Sequence, residues 1–414
     1  MSHDALVVGA GPAGSAVATL LARMGWSVAL FEKQAFPRRK VCGECIAAGN
    51  FGLLSAIGLE LSRLEEAGPA LSEVALARGK EVVVADLPAA DGGVRWGRAI
   101  GREALDLLLL DNARRAGAAV FQPCSVASVG PPGPDGLHTL RTRDGRDFRA
   151  PVLIQAGGSS DTAPPGTAGR QARAGGQLRA ARRAVDLLAF KATFTGASLP
   201  AGRLFVLALD GGYGGLVMQG GGIATLACCV RRDRLEQLRR ARPDARAGDA
   251  VEAWLRAGCA AAGNALADAT RQSAWLAAGA IRPGIRLSGD DGGFRVGNAG
   301  AEAHPILGEG ISMALQSAAL LCDHLRLHRP LAYRQPMVRA AAQAAYQASW
   351  HGAFDHRMRI AAAFAHAAMR PGASATLVAL ARRWPGLLTA GARWGAKARP
   401  AVGDFTTTLR SEAA

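Results

Sequence analysis

Gly9, Gly11 and Gly14 stand at G-x-G-x-x-G spacing behind the apolar run Ala5 to Val8. At such a turn the first glycine allows a tight reversal, the second lets the backbone approach a pyrophosphate, and the third lets helix and strand pack closely. Pro12 and Ala13 fall in the first helical turn, where free N–H groups and the helix dipole favour a pyrophosphate. Glu32 closes the next apolar run and is placed to accept from a ribose 2′-hydroxyl. Pyrophosphate turn and ribose acid together predict a dinucleotide, FAD rather than FMN.

A second group lies far along the chain, in Gly297-Asn298-Ala299-Gly300 followed by His304-Pro305-Ile306-Leu307-Gly308-Glu309-Gly310-Ile311. His304 is a candidate acid or base near neutral pH, with an ordinary structural histidine as the alternative. Phe36-Pro37-Arg38-Arg39-Lys40-Val41-Cys42-Gly43-Glu44 forms a third group. Cys42 and Cys45 make a C-x-x-C, read either as a redox dithiol or as one cysteine beside a cofactor with an incidental neighbour. No second C-x-x-C or ordered histidine pair completes a zinc site, so no metal is expected. Tyr213, in Gly211-Gly212-Tyr213-Gly214-Gly215, is read on a glycine-rich turn covering cofactor and substrate, or in an ordinary hairpin.

The elements that must hold these residues follow from periodicity. Val17, Leu20, Leu21 and Met24 predict a helix after the first turn, and Ser27 to Phe31 a second buried strand, giving a βαβ opening. After a Gly- and Pro-punctuated loop, Arg102 to Ala116 reads as a helix and Ala118 to Gln122 as a strand. Asp144-Gly145 predicts a two-residue hairpin turn between 137–143 and 146–150, ahead of a buried strand from Val152 to Ala156. Leu187 to Thr195, Arg203 to Leu209 and Ala224 to Val230 predict an antiparallel sheet. Gly293 to Val296 and a helix from Ile311 to about Leu327 return to the first lobe, and Ala-rich helices follow Pro336.

The expected fold is α/β: a Rossmann-like FAD-binding lobe (1–70, 98–165 and 282–335), an inserted mixed β-sheet substrate lobe (71–97 and 166–281), and a helical C-terminal region (336–414). The 414 residues are 49% hydrophobic and 20% charged, which suits a well-cored globular protein. The net charge of +16 is spread along the chain as arginine, and aromatics make up only 5%, so nucleic acid is not an expected partner. Seven cysteines without disulfide-like spacing imply a reducing, cytoplasmic setting. No apolar run reaches transmembrane length. Phe354, Met358, Ile360 and Phe364, among Arg357 and Arg359, suggest a helix that touches a membrane surface or closes over the substrate lobe, with packing against the body as the plainer alternative.

Pro305, Gly308 and Gly310 match the P-x-x-G-x-G of the flavin-dependent monooxygenase and geranylgeranyl-reductase-like superfamily, which shares the para-hydroxybenzoate hydroxylase fold. Residues 36–44 resemble the flavin loop of its reductase-like branch. The resemblance implies that Cys42 and Gly43 lie near the flavin ring and Arg38 or Lys40 near phosphate, and that Arg102 matches the family's arginine near FAD. The start of the 311 helix then faces the pyrimidine edge. Lys33, Val126, Gly157, Asn298, Glu309 and Ile311 complete the implied cofactor set, with Asn298 where the family has Asp. The family's Asp-Gly pair is replaced by Gln155-Ala156-Gly157-Gly158-Ser159, which leaves the electron donor open between a transient NAD(P)H and another protein. The activity implied is hydroxylation of a hydrophobic or aromatic small molecule, free or attached to a carrier or peptide, through an oxygen adduct of reduced flavin. Candidate catalytic residues are His304, Cys42 and Tyr213. Reduction of an isoprenoid-like double bond and a redox-partner role are the alternatives. Halogenation ranks lower because W-x-W-x-I-P is absent.

Overall fold

In a computed structural model, residues 1–90, 94–159 and 183–394 are described. Strand Ala5–Val8 is buried throughout and lies at the centre of a five-stranded sheet. Its neighbours are Val152–Gln155 and Val28–Phe31, with Phe294–Arg295 and Ala119–Phe121 outside them, and every pair is parallel. Unbroken apolar runs suit a sheet covered on both faces. Helices Pro12–Arg23, Arg102–Arg115 and Gly310–Leu325 share one core with it. A three-stranded antiparallel sheet covers the other face, where Phe31 meets Phe148 edge-on at 4.8 Å between ring centroids. Its Asp147–Ala150 strand follows the expected Asp144-Gly145 turn, with Gly145 at φ +87°.

The second lobe is an eight-stranded sheet. Strands Leu187–Thr195, Arg203–Leu209 and Ala224–Arg231 match the sequence reading. One feature differs from it, and one open choice is decided. Glu73–Arg78 and Glu81–Asp86, within the stretch read as loop, are strands, and the first pairs in parallel with Arg203–Leu209. Tyr213 takes the hairpin alternative: it lies on Gly212–Met218, an internal strand that follows Arg203–Leu209 through a turn at residues 210–211. Glycine at 212 has a packing reason: a Cβ there would stand 2.6 Å from the Trp254 ring.

One face of this sheet is covered by helices Arg232–Ala241, Ala247–Gly258 and Ala260–Ala265. On the other face Leu76, Leu187, Ala189, Ala208, Tyr213 and Cys229 pack against the C-terminal helices, with Val41 and Ile306 reaching in from the first lobe. Helix Pro336–Ala368 buries Tyr346, Trp350 and Phe354 beside the Gly310–Leu325 helix. Phe354 is fully buried and Met358 packs against the same core, so these side chains close over the body instead of facing outward. No described helix is long and apolar enough to cross a membrane.

Candidate flavin site

Gly9 sits at φ +101°, and a Cβ there would lie 2.6 Å from the Ala156 carbonyl oxygen. A Cβ on Gly14 would fall 1.8 Å from the Gly9 carbonyl oxygen, so helix Pro12–Arg23 approaches the turn as closely as a glycine permits. Above Gly11, by contrast, the nearest atoms are guanidinium nitrogens, Arg38 Nη2 at 3.6 Å and Arg102 Nη2 at 4.0 Å from a would-be Cβ. Two cations therefore converge where the backbone leaves room for a pyrophosphate. Burial, then the neighbouring Arg38, pushes the Lys40 ammonium below its ordinary pKa. Arg38 and Arg102 are held in place by Glu32 and Asp106, and with Lys40 they present three cationic groups to a diphosphate at the turn.

Glu32 is buried and accepts hydrogen bonds from the Ala10 N–H (3.1 Å) and the Gln34 N–H (2.9 Å), with Arg38 3.5 Å away. Lys33, next in the chain, is exposed. Val126 opens strand Val126–Val129, and its side chain packs with the Phe31 and Phe148 cluster. Asp106, which the sequence reading missed, is fully buried and accepts from Arg102 Nε at 2.7 Å and Nη2 at 2.9 Å. Its signal was available, since the two stand at i,i+4 on a helix.

The 36–45 loop carries Cys42, Gly43 and Glu44 to the boundary between the lobes. Cys42 Sγ accepts the Glu44 N–H at 3.3 Å, while Gly43 is exposed with open space where a Cβ would be. Glu44 adopts φ +59°, a left-handed conformation costly for a residue with a side chain. Its fully buried carboxylate accepts from the Arg102 N–H (3.0 Å), Thr225 Oγ1 (2.7 Å), Lys191 Nζ and Gln219 Nε2. None of Lys191, Gln219 or Thr225 stood out in the sequence. The Cys45 thiol is buried and donates to the Gly43 carbonyl at 3.3 Å, and neither Cys42 nor Cys45 is in a disulfide.

Across the site, Gly308 turns the chain at φ +65° so that helix Gly310–Leu325 can begin, and open space surrounds Gly310. Pro305 is exposed at this turn, and Glu309 and Ile311 are buried. Gly157 lies beside Gly9, and Asn298 Nδ2 donates to Ser159 Oγ at 2.8 Å.

His304 is 8% exposed, its Nδ1 has no hydrogen-bond partner, and its ring centroid is 5.5 Å from that of His366 on the C-terminal helix. Burial, then His366, pushes its pKa down to about 4. Desolvation disfavours the imidazolium, so the neutral ring is favoured at pH 7 and is set to accept a proton rather than to supply one. The Tyr213 hydroxyl is buried against the Cys229 thiol, and burial, then Cys229, pushes its pKa well up. No group of three metal-binding side chains occurs among the described residues.

Residues 2–159 match the FAD binding domain family. This part of the chain is an FAD-binding domain. FAD is accordingly its cofactor, and the glycine turn, Glu32 and paired arginines are residues of that domain able to hold it. The chain is 29% identical over 178 residues to conditioned medium factor receptor 1 of Dictyostelium discoideum, covering 39% of this chain and 34% of the relative. It is 31% identical over 161 residues to menaquinone reductase of Mycobacterium tuberculosis, covering 38% of each. The chain thus spans little more than a third of the length of these curated relatives. The myxobacterial chondrochloren halogenase CndH superimposes with a TM-score of 0.73 at 18% identity, over 99% of this chain and 96% of that one. PqsL from Pseudomonas aeruginosa, described as a probable FAD-dependent monooxygenase, gives 0.67 at 22% identity, over 91% and 99%. The FAD-binding domain is thus set in the fold of flavin-dependent halogenases and monooxygenases, in keeping with the superfamily resemblance.

Proposed function

We propose that the protein is an FAD-dependent oxidoreductase, specifically a monooxygenase that hydroxylates a hydrophobic or aromatic small molecule. One observation carries the reading: the sheet face that meets the flavin loops is apolar and covered, with Leu187, Ala189, Ala208 and Cys229 beneath the C-terminal helices and Val41 and Ile306 at its edge. Such a face would give an apolar substrate at its edge a water-poor wall. Bound FAD supplies the electrons that activate oxygen, and the balance is RH + O₂ + 2e⁻ + 2H⁺ → ROH + H₂O.

The protein's own residues position and shield. Arg38 and Arg102 hold the diphosphate, and Glu32 the adenosine ribose. The Cys42–Glu44 loop, pinned by Lys191, sets the ring-side wall. The unpartnered Nδ1 of His304 and the Tyr213 hydroxyl, held only by the weakly accepting Cys229 thiol, are polar atoms near the apolar face for orienting a substrate hydroxyl or relaying its proton. A ligand of PqsL, 2-aminobenzoylacetate, is an aromatic small molecule, which supports this substrate class.

Double-bond reduction is the second reading, favoured by the similarity to menaquinone reductase. The test is an oxygen electrode with FAD-loaded protein, a reductant and a panel of phenolic and isoprenoid compounds. Substrate-dependent oxygen uptake with a hydroxylated product is expected. Turnover that proceeds anaerobically would assign the reductase instead, and halide-dependent product would assign halogenation.

A further inference from the structure

Glu309 stands immediately before Gly310, where helix Gly310–Leu325 begins and the open site lies. Its carboxylate is 1% exposed and is met by the guanidinium of Arg357, itself 5% exposed, from the C-terminal helix Pro336–Ala368. Arg357 Nη1 also donates to Gln316 Oε1 at 2.7 Å, Gln316 Nε2 donates to Asn50 Oδ1 at 2.9 Å, and Asn50 Nδ2 donates to Ser312 Oγ at 2.8 Å. One buried network therefore joins the start of this helix, the segment that follows the Cys42 loop, and the C-terminal region.

The chemistry of that helix end sets the consequence. Unsatisfied N–H groups give it partial positive charge, which favours negative charge on a nearby group. A bare carboxylate at the same place would oppose that charge and raise the free energy of an electron-rich ligand beside it. We propose that Arg357 is a positioning residue of the flavin site that cancels the Glu309 carboxylate, so that the helix end keeps its preference for reduced over oxidised FAD. The C-terminal region, outside the matched FAD-binding domain, then tunes the cofactor's potential. This inference rests on FAD lying with its pyrimidine edge toward Gly310.

The test is a double-mutant cycle on FAD-loaded protein, read as the two-electron potential of bound flavin by spectroelectrochemical titration. Arg357→Met is expected to weaken binding of reduced relative to oxidised FAD about tenfold, which lowers the potential by about 30 mV. Glu309→Gln, leaving the guanidinium unbalanced, is expected to raise it by a similar amount. The double variant should return close to the parent, and Arg357→Lys should stay near it. Single variants that bind FAD with an unchanged potential, or that both shift it the same way, would overturn the proposal and leave Arg357 as a tail anchor. Should Arg357→Met not fold, the sign of the Glu309→Gln shift decides alone, with a rise supporting the proposal and no rise overturning it. A parent protein that binds no FAD would overturn the cofactor assignment itself.

Discussion

Lys191 Nζ donates to the Glu44 carboxylate across 147 residues of sequence, and neither side chain is more than 1% exposed. The pair fastens the flavin-side loop of one lobe to a central strand of the other. Removing one member of a buried pair strands the other charge, at a cost of about 3 to 5 kcal/mol. Lys191→Met is expected to lower the urea midpoint accordingly, and Lys191→Met with Glu44→Gln to recover part of the loss. If the single variant unfolds at the parent midpoint, the pair is not what joins the lobes.

The glycine turn and its arginines give separable effects on FAD. Gly14→Ala forces a Cβ into the Gly9 carbonyl and should yield misfolded or colourless protein. Arg38→Ala removes a phosphate partner together with the buried ion pairs Arg38 makes with Glu32 and Asp106, so some loss of stability is expected beside the loss of FAD affinity. Charge-assisted hydrogen bonds contribute about 1.5 to 3 kcal/mol, so its FAD dissociation constant should rise about tenfold to a hundredfold. Fluorescence titration with FAD measures both.

His304 and His138 both have pKa values pushed down to about 4, in each case chiefly by burial. Between their unfolded value of 6.5 and about 4, the unfolded chain binds protons that the folded one does not. Stability contributed by the neutral rings is thus fully present above pH 6.5 and falls away as the pH drops toward 4. Thermal midpoints measured from pH 7.5 to 4 should fall across this window, and His304→Gln should flatten part of the slope. Over the same range His304→Ala should lower coupled turnover without releasing FAD, seen as more peroxide per reductant consumed.

The Tyr213 hydroxyl is buried beside the Cys229 thiol, a weak acceptor whose loss costs little. Tyr213→Phe should therefore be as stable as the parent or more so, while product formed per oxygen consumed declines. Unaltered coupling would remove Tyr213 from the site.

The Cys45 thiol is buried and turned toward the Gly43 carbonyl, so Cys45→Ser should leave turnover and the flavin spectrum nearly unchanged. A loss of activity that reductant restores only in the parent would instead support a working Cys42–Cys45 dithiol.

The strand, turn and helix from Ala5 to Arg23 were legible because their determinants are local: glycines that no other residue can replace, a run of apolar residues, and helical spacing. The same holds for the Asp144-Gly145 hairpin and for the turn before Gly310. The strands from Glu73 to Asp86 were not, since short segments with charged ends become strands only when a distant edge, Arg203–Leu209, is there to pair with. For Tyr213 the sequence could not choose between a covering turn and an ordinary hairpin, because its glycines suit a turn and equally make room for Trp254 and for neighbouring strands. Which carboxylates meet which cations was also beyond the sequence. Glu44 with Lys191 and Glu309 with Arg357 look like any other charges until the chain crosses itself, and burial, which decides their strength and holds His304 neutral, exists only in the folded body.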